Sequence, residues 1–168
     1  MKRIVADPRK CLACRTCELA CAMAHVEVQD LAKALFEAGA RPRVFIQGAG
    51  ALAVPLQCRH CEDAPCVAVC PSGALGRADG ESPVLVDQAK CIGCEFCVQV
   101  CPFGVIQLAA EQKAIIKCDL CVARLAEGLA PACVASCPVR ALAFEEIGDD
   151  AARKRLQTAL RVAEGELR

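Results

Sequence analysis

The sequence predicts an α+β protein assembled from small cysteine-centred units rather than around one large apolar core. Three observations lead to this prediction. First, 16 of the 168 residues are cysteine, a density typical of cysteine-built scaffolds. Second, short segments rich in β-branched residues lie on either side of the cysteine groups. Third, phenylalanine supplies all five aromatic residues, so few large side chains are available to fill a core.

The cysteines fall into four groups, and no cysteine is left over. Every group opens with C-x2-C and closes with C-x3-C, and proline follows the last cysteine in groups two, three and four. In chain order, the groups are Cys11, Cys14, Cys17 and Cys21; Cys58, Cys61, Cys66 and Cys70; Cys91, Cys94, Cys97 and Cys101; and Cys118, Cys121, Cys133 and Cys137. A fourfold repeat of this kind predicts four similar metal centres.

Group three carries the most specific motif. Its spacing, C-x2-C-x2-C-x3-C-P, matches the run of bacterial ferredoxins without a mismatch. Three thiolates set two residues apart lie on one tight loop, which can wrap a [4Fe–4S] cube, and Gly93 suits the close approach of the backbone. The fourth cysteine reaches the other cluster of a pair. We expect that cysteine to open a short helix with Pro102 at its first position.

The segments around groups three and four predict a repeated order of strand, cysteine loop, short helix and strand. Strands are predicted at residues 3–6, 74–75, 84–87, 105–108, 114–117 and 141–144. Residues 47–51 predict a flexible connection, and residues 77–82 a polar turn. Each unit is too small to bury a core alone, so two units around two clusters make the smallest stable module.

Two longer helices are predicted outside this pattern. Residues 22–38 carry apolar side chains at helical spacing, and Gly39 would end that helix. Residues 149–168 follow an acidic cap signal and carry an apolar stripe made of Leu156, Ala159, Leu160, Ala163 and Leu167. This stripe either packs on its own domain, as surface helices normally do, or docks onto a partner subunit.

Charge and hydropathy exclude several functional classes. The chain has 20 Lys and Arg against 20 Asp and Glu, so it lacks the basic excess of a nucleic-acid-binding protein. No apolar run reaches the ~18–20 residues that cross a bilayer. The first residues meet Asp7 and Pro8 at once and do not resemble a signal peptide. We therefore predict a cytoplasmic protein, with export alongside a signal-bearing partner left open.

In a reducing compartment, 16 cysteines are more consistent with metal ligands than with disulfides. Four all-cysteine zinc sites are the alternative, although zinc sites usually combine two separate C-x2-C pairs. The two histidines, His25 and His60, are not needed as ligands, and His60 is positioned in the Cys58–Cys61 loop to tune a cluster by hydrogen bonding. The sequence contains no Ser-His-Asp arrangement, phosphate loop or dinucleotide fingerprint, and no catalytic residue is predicted.

The order and spacing of the four groups resemble the four-cluster ferredoxin-like electron-transfer subunits of molybdenum and tungsten oxidoreductases. That family includes subunits of formate dehydrogenase, dimethyl sulfoxide reductase, polysulfide reductase and aldehyde oxidoreductase, and the iron–sulfur partners of carbon monoxide dehydrogenase and hydrogenases. The resemblance runs from residue 1 to about residue 145. Its most telling elements are the C-x2-C-x2-C-x3-C run of group one, the extra residues before Cys66, and the long gap between Cys121 and Cys133.

The resemblance implies two nested two-cluster modules and four [4Fe–4S] clusters. Residues 1–47 and 114–168, with groups one and four, would form the outer module, and residues 48–113, with groups two and three, the inserted inner one. The implied ligand sets are Cys11, Cys14, Cys17 and Cys137 for set one; Cys118, Cys121, Cys133 and Cys21 for set two; Cys58, Cys61, Cys66 and Cys101 for set three; and Cys91, Cys94, Cys97 and Cys70 for set four. The ferredoxin run alone leaves open the sequential pairing of group one with two and three with four.

The resemblance also implies a function. The protein would relay electrons between a catalytic oxidoreductase subunit and a second redox partner, without being an enzyme itself. The short chain favours the compact subtype that serves aldehyde or formate oxidoreductases or carbon monoxide dehydrogenase. A free polyferredoxin, a structural zinc module and self-association into a longer cluster chain are the alternatives. Basic residues beside the cysteines would partly compensate the cluster charge; they are Lys10, Arg15, Arg59, Lys90, Lys117, Arg124 and Arg140.

Overall fold

The computed structural model describes residues 2–28, 30–109, 114–146 and 163. These residues form six short helices and eight strands. In chain order they are β1 (Lys2–Ala6), α1 (Thr16–Met23), α2 (Leu31–Phe36), β2 (Val44–Ala49), β3 (Leu52–Gln57), α3 (Pro65–Ala68), β4 (Leu75–Gly76), β5 (Leu85–Val86), α4 (Phe96–Val100), β6 (Gln107–Leu108), β7 (Ile115–Ile116), α5 (Val122–Ala126), α6 (Ala132–Ala135) and β8 (Leu142–Glu146). The elements agree with the small α+β units that the sequence predicts.

The first and last strands pair with each other. Strands β1 and β8 run antiparallel, with Ile4 opposite Phe144, and the amide of Asp7 extends the ladder by donating to the carbonyl of Ala141 at 2.8 Å. Ile4 and Leu142 are buried below this sheet. The pairing places the residues that lead into group one beside the residues that follow group four.

Strands β2 and β3 form the longest hairpin, which corrects the predicted flexible connection at residues 47–51. Gly50 has φ +60 in the two-residue turn, a conformation that glycine adopts without strain. Pro55, opposite Ile46, obscured the strand pattern in the sequence. Proline is tolerated here because both strands of a two-stranded sheet are edge strands and need not donate on their outer side.

The other predicted strands are confirmed, with β4 one residue later than predicted and β5, β6 and β7 shorter than predicted. Strands β4 and β5 pair through two residues each, as do β6 and β7. The predicted polar turn at residues 77–82 connects β4 to β5. These ladders are too short to be stable alone, so their positions depend on what they pack against.

In groups two, three and four a short helix precedes the last cysteine, whereas the sequence analysis expected the last cysteine of group three to open a helix. Helix α4 ends at Val100, and Cys101 is extended, with φ −70 and ψ 112. Proline disfavours the helical conformation in the residue before it, so Pro102 ends the helix rather than beginning one. In group one, Ala22 replaces the proline, and α1 accordingly continues through Cys21 to Met23.

The single helix predicted at residues 22–38 is wrong, because α1 ends at Met23 and α2 is separate. The Nδ1 atom of His25 lies 2.6 Å from the carbonyl oxygen of Cys21, which a continued helix would bond to the backbone amide of His25. Asp30 caps α2 by accepting from the amide of Lys33 at 2.8 Å. Gly39, with φ +63, ends α2 as predicted. The other predicted helix, at 149–168, lies outside the described residues apart from Ala163.

Two main apolar clusters hold the described elements together, and cysteines belong to both. The first joins the surroundings of groups one and four and comprises Ile4, Cys17, Cys21, Val44, Ile46, Leu120, Cys133 and Leu142. The second joins the surroundings of groups two and three and comprises Leu75, Val84, Cys97, Ile106 and Ile115. Both clusters consist mostly of small and β-branched side chains, as expected of a chain with few aromatic residues. None of the described helices is long and apolar enough to cross a membrane.

Candidate metal centres

The four C-x2-C loops share one backbone feature. In each loop the residue before the second cysteine has a positive φ; these residues are Ala13 (φ 56), His60 (φ 47), Gly93 (φ 68) and Leu120 (φ 61). Left-handed backbone costs a non-glycine residue about 1–2 kcal/mol, so the loops hold this conformation against local preference. Right- and left-handed residues in alternation turn successive N–H groups toward one point and form a concave anion-binding nest.

Backbone amides donate to several cysteine sulfurs. The amide of His60 lies 3.4 Å from Sγ of Cys58, and the amide of Leu120 lies 3.4 Å from Sγ of Cys118, so groups two and four use the same loop position. The amide of Ala141 donates to Cys137 at 3.2 Å. Hydrogen bonds of this kind favour the thiolate, which is the form of cysteine that binds metal.

All 16 cysteines are free thiols, so the structure contains no disulfide framework. Six of them are buried, and only Cys14 is exposed. The amides that donate to these sulfurs favour negative charge on them over uncharged buried thiols.

A cavity brings together cysteines from groups one and four. Cys11, Cys14 and Cys17 line it, and Cys137 completes the lining from more than a hundred residues away. Ile46 and Leu142 supply apolar walls. Helices α1 and α6 pack against each other, which places the last cysteine of group four over the group-one loop.

The buried thiol of Cys133 lies among other cysteines of groups one and four. Burial raises the pKa of Cys133, and the nearby charges of Cys21, Cys118 and Cys121 raise it further. Cys133 is only 4% exposed. Negative charges held this close together are stable only with a cation between them, and iron supplies that charge when a cluster is bound.

Groups two and three meet in the same way. Burial raises the pKa of Cys66, and the charges of Cys58 and Cys101 add to this effect. Cys70 packs on the second apolar cluster together with Cys91 and Cys97. The grouped thiols, the soft character of sulfur as a ligand and the amides that donate to cysteine sulfur all fit [4Fe–4S] clusters. Such a cluster supplies reversible one-electron chemistry when bound.

Comparison with known families decides the class of these sites. Residues 10–75 and residues 50–147 each match a family described as "4Fe-4S dicluster domain". The chain belongs to the 4Fe-4S dicluster domain family. The two matched segments overlap at residues 50–75, and neither follows the predicted division into nested modules, which stays a prediction.

Relatives of this dicluster protein cover nearly its whole length. An iron-sulfur protein of Rhodospirillum rubrum is 43% identical over 93% of this chain and 87% of the relative. Electron transport protein HydN of Escherichia coli is 39% identical over 94% of this chain and 97% of the relative. A probable anaerobic dimethyl sulfoxide reductase chain, YnfG of Escherichia coli, is 40% identical over 84% of this chain and 71% of the relative.

Two dicluster matches and 16 cysteines account for four [4Fe–4S] clusters in this protein. The predicted cofactor is thus confirmed, and the zinc alternative is set aside. The iron–sulfur and ferredoxin-like character read from the cysteine spacing is confirmed with it.

The basic residues beside the cysteines differ in their exposure to solvent. Lys10 and Lys90 are exposed and pair with Asp7 and Asp87, whereas Lys117 is 4% exposed. Arg59 lies over the ring of Phe103, with 6.0 Å between the guanidinium carbon and the ring centroid. Lys10 and Lys90 thus form ordinary ion pairs in solvent, whereas Lys117 lies inside the fold.

Both histidines lie within the fold and form hydrogen bonds there, and neither faces open solvent. His60 is buried, and its Nδ1 accepts from the amide of Val84 at 3.1 Å. Burial, together with the charge of Lys117, lowers the pKa of His60 to about 3, so its ring is neutral. His25 lies between Cys21 and Asp119, and Arg43 contacts the other oxygen of the same carboxylate.

Sequence reasoning missed Arg77. Its guanidinium donates to the carbonyl oxygens of His60 and Cys61 and to that of Gly80. The residue therefore ties the loop of group two to the β4–β5 connection. No spacing rule marks it, because its partners are main-chain atoms.

Proposed function

We propose that this protein is an electron-transfer subunit that relays electrons through four [4Fe–4S] clusters between a catalytic oxidoreductase subunit and a second redox partner. The observation that carries the proposal is the pair of dicluster matches, which together span residues 10–147. The printed names of relatives support it, since HydN is called an electron transport protein and YnfG a reductase chain.

The four clusters would take the nested ligand sets. Set one, Cys11, Cys14, Cys17 and Cys137, is supported by the cavity that these four residues line. Set two, Cys118, Cys121, Cys133 and Cys21, is supported by the mutual influence of these thiols on the pKa of Cys133. Set three, Cys58, Cys61, Cys66 and Cys101, is supported by the influence of Cys58 and Cys101 on Cys66. Set four would take the remaining cysteines, Cys91, Cys94, Cys97 and Cys70.

Charge effects between thiols of different sets support a linear order from one to four. The charge of Cys17 of set one raises the pKa of Cys133 of set two. The charge of Cys58 of set three raises the pKa of Cys118 of set two. The charge of Cys66 of set three raises the pKa of Cys97 of set four. Each set therefore lies near the next one in the line, to which an electron can pass.

The nested domains, with residues 1–47 and 114–168 outside and 48–113 inside, are part of the same proposal. The pairing of β1 with β8 and the first apolar cluster support an outer module around groups one and four. The β2–β3 hairpin and the β6–β7 pair cross the bounds at residues 47–48 and 113–114, so the two modules share these strands. If the chain forms the inner module and then returns to the outer one, its first and last strands must contact each other, as β1 and β8 do.

Partners would dock at the two ends of the cluster line. Leu12 in the loop of group one is 67% exposed, and Ile92 at the corresponding position of group three is 62% exposed. Exposed apolar residues beside the terminal clusters provide surface for redox partners, which then come close to a cluster. We favour a molybdenum- or tungsten-dependent catalytic subunit at one end. The free polyferredoxin, self-association into a longer chain and the cytoplasmic location remain predictions.

Anaerobic purification with quantitative chemistry tests the proposal. We expect about sixteen iron and sixteen sulfide per chain, and reductive titration should take up one electron per cluster. Co-expression with neighbouring genes should yield a complex that reduces or oxidises the clusters when the catalytic subunit receives its substrate. A holoprotein whose clusters exchange no electrons with any co-purifying subunit would contradict the relay function.

A further inference from the structure

The residue before the first cysteine of each group differs in environment. These four residues are Lys10, Gln57, Lys90 and Lys117. The side chains of Lys10 and Lys90 are 60% and 63% exposed, and each pairs with the aspartate three residues earlier. Gln57 and Lys117, in contrast, are 1% and 4% exposed. Groups two and four thus bury the position that groups one and three leave in solvent.

The ammonium of Lys117 is held by main-chain carbonyls. Nζ donates to the carbonyl oxygen of Cys118 at 2.8 Å and to that of Val84. The amide of Val84 donates to Nδ1 of His60, so that ring nitrogen carries no proton and the ring is uncharged. Among the described residues, Lys117 is the only lysine, arginine, aspartate or glutamate that is buried.

Lys117 lies where the loops of two different ligand sets meet. Its chain neighbour Cys118 belongs to set two, and the carbonyl of Cys118 accepts from Nζ. The carbonyl of Val84 also accepts from Nζ, and the amide of Val84 donates to His60 in the Cys58–Cys61 loop of set three. The ammonium thus lies between the two middle places of the proposed cluster line.

A buried ammonium is costly unless negative charge compensates it. The two carbonyls supply dipoles but no net charge. An oxidised [4Fe–4S] cluster with four thiolates carries a charge of about −2, and each added electron increases it. Solvent screens the charge of an exposed lysine, whereas a buried lysine acts through a lower dielectric.

We propose that Lys117 is a fixed buried cation that raises the reduction potentials of the two middle clusters above the values they would otherwise have. The proposal rests on the proposed function and its ligand sets. Its consequence is an electron that is more stable on the inner clusters than it would be without the ammonium. Gln57, the buried residue at the corresponding position of group two, is uncharged, so Lys117 is the one buried cation among these four positions.

Redox titration of the intact anaerobic holoprotein, followed by electron paramagnetic resonance, tests the proposal. In Lys117→Gln, we expect two of the four potentials to fall, each by at least a tenfold change in the one-electron equilibrium constant, about 59 mV. The matched variants Lys10→Gln and Lys90→Gln should shift every equilibrium constant less than twofold. Lys117→Arg, which keeps the charge, should stay close to the wild type.

Iron content is measured on each sample, so cluster loss is not mistaken for a changed potential. Lys117→Gln with full iron and four unchanged potentials would overturn the proposal, as would an equal shift in Lys90→Gln. If Lys117→Gln loses iron, Gln57→Lys is measured instead, because it adds a cation at the corresponding position of group two. At least one raised reduction potential in Gln57→Lys supports the proposal. Four unchanged potentials in Gln57→Lys overturn it. A wild type without four redox-active clusters would instead refute the proposed function.

Discussion

His25 and Asp119 join group one to group four through a single hydrogen bond. Nε2 of His25 lies 3.1 Å from Oδ1 of Asp119, and Nδ1 lies 2.6 Å from the carbonyl oxygen of Cys21. Both ring nitrogens face acceptors, so the ring can donate both bonds only as an imidazolium. Arg43 lies 2.8 Å from the other oxygen of the same carboxylate. Two cations therefore share one anion beside the proposed set-two cluster.

Replacing Asp119 with asparagine should destabilise the protein. Burial opposes ionisation of Asp119, but the hydrogen bond from His25 and the charge of Arg43 hold its pKa well below the usual range. Removing the anion leaves two half-buried cations without compensation, which costs about 1–2 kcal/mol once partial exposure is allowed for. The unfolding midpoint in urea, measured anaerobically, should fall. Asp87→Asn, at an exposed ion pair, should leave the unfolding midpoint close to that of the wild type.

The same ion pair predicts a dependence of stability on pH. Burial disfavours the charged ring, but hydrogen bonds to Asp119, Cys121 and Cys21 outweigh it and raise the pKa of His25 to about 11. The unfolded value is about 6.5. The stabilisation is thus complete below pH of about 6.5 and is lost as pH rises toward the folded pKa. The difference in melting temperature between wild type and His25→Gln should shrink from neutral to alkaline pH. A difference that stayed constant would show that the ring is neutral in the folded protein.

Removing the Arg77 guanidinium should loosen the loop of group two. Arg77 donates to the carbonyl oxygens of His60 and Cys61, and no other described side chain donates to these two atoms. In Arg77→Met, we expect faster iron loss to a chelator, by several-fold, limited to one cluster's share of the iron. Arg59→Met is the matched control, because Arg59 lies in the same loop and donates to neither carbonyl. Equal rates in the two variants would exclude the proposed role.

The left-handed residues in the cysteine loops predict opposite effects of two substitutions. Ala13 in group one has φ 56, and Gly93 at the same loop position in group three has φ 68. Gly93→Ala should retain its cluster but lower the free energy of unfolding by about 1 kcal/mol, whereas Ala13→Gly should raise it by up to the same amount. Anaerobic denaturation with iron analysis measures both. Destabilisation by Ala13→Gly would mean that backbone entropy outweighs strain at this position.

The sequence predicted the cofactor and most of the strands because both depend on local spacing. Cysteine intervals define the metal-binding loops, and β-branched residues mark β5 and β7. Local pattern also predicted the end of α2 at Gly39. The β2–β3 hairpin was missed because Pro55 interrupts the strand pattern of the sequence. Proline is tolerated at this position because β3 is an edge strand.

Burial of particular side chains could not be predicted from spacing. Lys90 and Lys117 both precede a C-x2-C pair, yet only Lys117 is buried. One sequence difference accompanies this contrast, since Asp87 lies three residues before Lys90 and Ala114 lies three residues before Lys117. An aspartate holds the lysine at the surface by an ion pair, and alanine offers none. The proposed nested ligand sets likewise do not follow from spacing, because each set combines cysteines of two groups that are separate in the sequence.

Anomalous diffraction at the iron absorption edge from crystals of the anaerobic holoprotein tests the central claim most directly. The account predicts four four-iron sites in a line, with Cys137 bound to the same cluster as Cys11, Cys14 and Cys17, and Cys21 bound to the next cluster. Cys21 on the cluster of Cys11, a cluster shared between groups one and two, or fewer than four iron sites would contradict it.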